Sequence, residues 1–196
     1  MKQLFIVVLL FFTNHFFGQS IDSIIKKKSD EFRLKGVKDF FYYESYCVGS
    51  IKIVKKDQID CSLDKSDFYV FWKEKGKSHF EQFTRCENPK VKISNRIMDF
   101  FVNNVASMHK EEVERYKRRK DSLVGNKRYS FLRMVSHSCY RKFYFYEGDS
   151  LIEKRISQFD LSNEKESPNI NFEQNNNLKI VKLSKECDEV IALQKK

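Results

Sequence analysis

The chain has 196 residues and a formal net charge of +10, from 37 Lys and Arg against 27 Asp and Glu, with 41% hydrophobic and 15% aromatic residues. That length excludes a stapled mini-protein and fits one domain with its own core. The positive surplus points to polyanions (lipid head groups, acidic glycans or nucleic acid), although most of it is Lys and not Arg, whose planar fork suits phosphate and carboxylate better.

Met1-Lys2-Gln3 is a short positive start, Leu4 to Phe12 an unbroken apolar run, and Gly18-Gln19-Ser20 a small-x-small exit. Together they predict a secretory signal peptide over residues 1–20, cut between Gly18 and Ser20. The run is far shorter than the roughly twenty residues of a membrane-spanning helix, and no later stretch is long and apolar enough to stop transfer. The mature chain is therefore expected in the periplasm or outside the cell. No Cys stands at the exit of the run, where a lipid anchor would need the mature N-terminal thiol, which argues against a lipid anchor.

Ile21, Ile24, Ile25, Phe32 and Leu34 recur at helical spacing up to Gly36, predicting a short amphipathic helix whose Lys26-Lys27-Lys28 triplet is its solvated face. From Phe40 to Leu63 the aromatic and β-branched texture predicts strands. A hairpin follows, with Phe68-Tyr69-Val70-Phe71-Trp72 turning at Lys75-Gly76 and returning through Phe80 and Phe83. Its first arm is apolar on both faces, so it belongs inside the sheet with both sides covered.

Ser94 precedes Ile97, Met98, Phe101, Val105 and Met108, which line one face of a long packing helix. Past His109 that helix is expected to continue as a charged stretch, with Glu111 and Arg115, and Glu114 and Arg118, four apart in the favourable order. The basic cluster of Arg115, Lys117, Arg118, Arg119 and Lys120 looks like a polyanion site, but with three Glu beside it the reading taken is a solvated helix end. A second hairpin runs from Cys139 to Tyr146, turns at Gly148-Asp149 and returns through Leu151, Ile152, Ile156 and Phe159. Residues 162–177 read as a polar loop, Leu178 to Leu183 as a last short strand, and Glu186 to Leu193 as a closing helix or tail.

Cys47, Cys61, Cys86, Cys139 and Cys187 make an odd set without any CxxC pair, so in an oxidising compartment structural bridging is the expectation. Cys61 with Cys86 is the first candidate bridge, since the first hairpin brings their neighbourhoods together; Cys47 and Cys139 are further half-cystine candidates.

No local signature assigns a catalytic residue, and no metal or cofactor is implied. His137-Ser138-Cys139 is the nearest approach to a nucleophile beside a base, and a half-cystine next to a surface histidine explains the same letters. His79, His109 and His137 are scattered, and the glycines form neither GxGxxG nor GxxxxGK[ST]. Alternation in the second hairpin places Tyr140, Lys142, Tyr144 and Tyr146 on one face, which marks Lys142 and Tyr144 as candidate ligand-binding residues.

These readings converge on one α+β domain over residues 21–196: an antiparallel meander sheet of about five to seven strands, a long packing helix and a short N-terminal helix. The outline resembles cystatin-like cone-shaped sheets as an architectural analogy. The functional expectation is a non-catalytic binding domain for a protein or glycan of the cell envelope. An envelope hydrolase with dispersed residues and a polyanion binder are its alternatives.

Overall fold

A computed structural model describes residues 20–49, 66–84, 91–94 and 96–194. The leader, Cys61 and Cys86 lie outside the described residues, and with them the candidate Cys61–Cys86 bridge. The chain divides into two compact units, residues 1–36 and 37–196.

The first unit carries α1 (Ile21–Leu34), whose N-cap Ser20 accepts the Ser23 N–H at 3.3 Å. Lys28 and Lys35 both pair with Glu31, at 3.2 and 2.6 Å, while Lys26 and Lys27 stand exposed as the predicted solvated face.

The second unit is α+β, built on a six-stranded antiparallel sheet of β1 (Phe40–Cys47), β2 (Asp67–Glu74), β3 (Lys77–Phe83), β4 (Val91–Ser94), β7 (Cys139–Glu147) and β8 (Ser150–Ser157). The spatial order is β4-β3-β2-β1-β7-β8. A meander runs outward from β1 to β4, and the β7–β8 hairpin is added on the free side of β1. At the first turn Lys75 and Gly76 take φ of 50° and 76°, the left-handed pair that a two-residue hairpin matching strand twist requires. In the second, Gly148 and Asp149 close the ladder at Glu147 and Ser150.

Strand alternation sorts the aromatics into two layers. Phe41, Tyr43, Tyr69, Phe71, Phe80, Phe143 and Phe145 face a core shared with α2 (Ile97–Met108) and with α4 (Lys179–Gln194), through Ile97, Met98, Phe101, Ile180, Val181 and Leu183. Phe41 sits at its centre, with ring centroids 4.9 Å from Phe71 and 4.7 Å from Phe101. Tyr42, Phe68, Val70, Trp72 and Tyr144 are buried on the opposite face, so β2 is covered on both sides as its sequence predicts.

Four local expectations change. Ser94 ends β4, paired with Ser78, and the packing helix starts at Ile97. That helix stops at Met108; residues 111–116 lie in neither helix nor strand, so the four-residue helical spacing that the expected Glu–Arg pairs need is absent. Instead the Glu111 carboxylate accepts the Ile180 N–H at 2.9 Å at the start of α4, and Tyr116 is fully buried on the Phe159 ring at 4.7 Å. Leu178 to Leu183 is not a strand: Ile180, Val181, Leu183, Ser184, Cys187 and Ile191 are buried at helical spacing along α4.

The polar stretch 162–177 also contains a short helix, α3 (Phe172–Asn177), and its asparagines act as backbone partners. Asn175 accepts from Glu114 N–H at 3.0 Å and donates to the Glu114 and Asp160 carbonyls at 2.8 and 3.0 Å. Asn169 accepts from Lys117 N–H at 3.3 Å, and Asn171 donates to the Arg115 carbonyl at 2.9 Å. These amides stand in for the strand that 111–117 lacks, satisfying backbone groups that are costly to leave unpaired.

Beyond Tyr116 the chain forms an arm. Lys117 bridges Leu132 at its foot, and a separate two-stranded ribbon, β5 (Ser122–Val124) with β6 (Lys127–Tyr129), forms its end. Cys47 and Cys139 are directly opposed on β1 and β7 and form a disulfide; Cys187 on α4 is a buried free thiol whose pKa burial pushes up. Among the described residues no helix is long and apolar enough to cross a membrane.

Candidate functional site

A cleft of about 430 Å³ opens between the foot of the arm and the end of the β7–β8 hairpin. Val113, Arg115 and Arg133 to Val135 form one wall, and Tyr140, Arg155, Ser157, Phe159 and Asp160 the other. Three arginines from three separate segments therefore line one concavity.

Each arginine is held by its own local structure. Arg155 sits directly across from Lys142 in the β7–β8 ladder, with its guanidinium 3.9 Å from the Tyr140 ring, which in turn stacks on Tyr46 at 5.4 Å. Arg133 is fixed at the arm's foot, where its N–H donates to the Tyr116 carbonyl at 3.0 Å. Its guanidinium pairs with Glu164 and lies 5.8 Å from the Tyr116 and Phe159 rings. That pairing raises the Arg133 pKa. Arg115 is held through its carbonyl by Asn171.

Beneath them the Tyr116 hydroxyl donates to the Ser167 carbonyl. The one acid of the lining, Asp160, accepts the Tyr116 N–H at 2.9 Å; burial raises its pKa, opposed by that hydrogen bond and by Arg115. Among the described residues Arg115 and Arg155 stand in no ion pair, so two cations face the cleft without a carboxylate at contact distance.

Lys142 and Tyr144 lie next to this wall on the same sheet face. Tyr144 is buried, and its hydroxyl donates to Glu44 at 2.8 Å. Lys142 pairs with Glu153 at 3.1 Å and sits 5.8 Å from the Tyr144 ring. The pair is thus together in space, with Lys142 the more accessible.

Cys139 is held in its disulfide, so no thiol is available to His137. The His137 ring bonds Ser136 at 2.8 Å and lies against Gly49, whose φ of 77° is the left-handed conformation that favours glycine at that corner. His79 stacks on Trp72 at 5.2 Å and His109 on Phe145 at 5.0 Å. Among the described residues no three His, Cys, Asp or Glu side chains converge as a metal site.

A smaller cavity of about 210 Å³ lies against α4, lined by Ser45, Asp67, Tyr69, Arg141, Asp188 and Ile191 among others. Asp188 accepts from the Tyr43 hydroxyl at 2.6 Å and from Arg141 Nε at 3.2 Å, which ties α4 to β1 and β7. Burial, together with neighbouring negative charge, pushes the Tyr43 and Tyr69 hydroxyls well above the usual phenol range. Its hydrogen bonds join helix to sheet and make it chiefly a structural contact.

Reading the sequence alone found neither Arg133 nor Arg155, because nothing near either marks it. Arg115 was visible only as one member of a basic run. Comparison of the chain with family models, with curated proteins and with solved structures finds no match in any of the three.

Proposed function

We propose that this protein is a non-catalytic, exported binding domain that takes an anionic group, a carboxylate or phosphate borne by an envelope glycan or protein, into the arginine-lined cleft. The observation that carries this reading is the convergence of Arg115, Arg133 and Arg155 on one cavity of ligand size, with only Asp160 as an acid in its lining. Tyr140 and Phe159 give it aromatic walls that limit solvent and strengthen the charged contacts. The same balance of groups favours binding over the hydrolytic alternative, which calls for paired acid and base groups where this cleft gathers three cations. Placement outside the cytoplasm is supported by the leader's composition and by the Cys47–Cys139 bridge, which persists in an oxidising compartment.

The test is titration with inorganic phosphate and with a uronic acid oligosaccharide, followed by amide chemical shifts. Binding should perturb residues 113–115, 133–135 and 155–160 and weaken as salt rises. Removing one charge-assisted contact with Arg115→Gln or Arg155→Gln should cost about tenfold or more in affinity. Equal affinity in both variants and the parent chain would sink the proposal.

A further inference from the structure

Between Lys117 and Arg133 the chain carries seven basic residues and one acid, a net +6 out of the +10 of the whole sequence. In the structure this charge is displayed along the arm. Lys117 and Arg128 are drawn to Asp121, Arg119 lies 3.7 Å from the Phe131 ring, and Arg133 pairs with Glu164. Arg118, Lys120 and Lys127 have no ion pair among the described residues, and all three are exposed.

The end of the arm is apolar. Leu123 and Val124 run into the Gly125-Asn126 turn at 75% and 64% exposure, and all six residues of the β5–β6 ladder are exposed. Single exposed hydrophobics are ordinary on any protein surface. Two adjacent ones at the end of an exposed ribbon, with Lys127 across the ladder from Val124 and Arg118 and Lys120 on the segment leading in from the foot, are a different arrangement. An isolated two-stranded ribbon is marginal in water, yet this one is braced: Asp121 binds Arg128 Nε at 2.9 Å and the Ser130 hydroxyl at 2.8 Å, cross-linking its two sides.

We infer that the arm is a membrane-docking hairpin. Leu123 and Val124 enter the boundary between head groups and acyl chains of an anionic lipid surface, and Arg118, Lys120 and Lys127 lie against the lipid head groups. Three-residue strands at about 3.3 Å per residue give the tip a reach of about 10 Å, the depth to which interfacial segments bury their apolar face. Each basic group near an anionic bilayer is worth about a fivefold gain in partition. A soluble polyanion would satisfy the cations equally and leave the apolar tip in water, which is why a lipid surface fits better than a nucleic acid or a glycan. The inference stands apart from the cleft: the arm can dock with the cleft empty.

Co-sedimentation of the full chain, as the cell processes it, with vesicles of phosphatidylcholine and phosphatidylglycerol in equal parts is the test, against vesicles of phosphatidylcholine alone. The parent protein should bind the mixed vesicles and not the neutral ones. Leu123→Ser with Val124→Ser should lower that partition about tenfold, and Lys120→Gln with Lys127→Gln about 25-fold. Both variants should keep the parent's near-ultraviolet circular dichroism, because every altered side chain is exposed, and Arg115→Gln should leave vesicle binding unchanged. Absence of binding to the mixed vesicles would overturn the inference. Unaltered binding by the serine variant would overturn it too, since the arm would then be a plain polyanion site. Loss of phosphate binding in the cleft with vesicle binding intact would count against the cleft reading only.

Discussion

Asn175→Ala tests whether asparagine amides replace a missing strand beside the cleft. Asn175 is fully buried, and its side chain satisfies three backbone groups: Glu114 N–H at 3.0 Å, the Glu114 carbonyl at 2.8 Å and the Asp160 carbonyl at 3.0 Å. A hydrogen bond contributes about 1 kcal/mol net, and a group left buried without a partner costs about 1–3 kcal/mol. Glu114 itself is exposed, so water can reach part of what is freed and the lower end applies: a loss of about 3 kcal/mol. Asn175→Asp sharpens the result. It keeps the acceptor for Glu114 N–H but turns a carboxylate towards two carbonyls, so at neutral pH it should cost at least as much as alanine. Acidification should restore part of the loss, because a protonated carboxyl can donate once. Urea unfolding followed by fluorescence of the buried Trp72 reads both variants. A loss below about 1 kcal/mol in Asn175→Ala, or an aspartate variant as stable as the parent, would refute the reasoning.

The Cys47–Cys139 bridge spans 92 residues, so replacing both with Ser should lower stability by about 4 to 5 kcal/mol in the chain-entropy account, seen as a drop in unfolding midpoint that reductant reproduces in the parent; no change would mean the bridge does not constrain the unfolded chain. Asp121 is held down to about 2 from 3.8 by bonds from Ser130, Arg128 and Lys117. A lowered folded pKa places its contribution above the unfolded value and removes it as pH falls through about 2. Protection factors of the β5 and β6 amides, taken against the intrinsic exchange rate at each pH, should therefore fall on acidification over that window, while those of Asp121→Asn stay level; equal protection factors at both ends of the window in the parent would count against the brace.

What was legible in the sequence is what is fixed locally. The two hairpins announce themselves because Lys75-Gly76 and Gly148-Asp149 set each register from within, and β2 reads as central because Phe68 to Trp72 leave no polar face. The misreadings share a cause, which is distance. Glu111 to Arg118 has charge spacing that suits a helix, and the non-helical path is held by Asn169, Asn171 and Asn175, more than fifty residues later. Leu178 to Leu183 is too short a window to separate strand from helix; only Cys187 and Ile191, one and two turns on, reveal the helical period. The cleft is the same problem in three dimensions, since Arg115, Arg133 and Arg155 each look like one more solvated cation until the arm and the β7–β8 hairpin bring them together. Asparagine is the instructive case. Its abundance in 162–177 reads as loop composition, yet Asn169, Asn171, Asn175 and Asn176 all bond backbone groups, and three of them hold the segment that positions Arg115. A side-chain amide carries the donor and acceptor of a peptide unit without needing a strand's continuity. A stretch with no periodicity can therefore be as structurally committed as a ladder, and periodicity is the one signal that cannot show it.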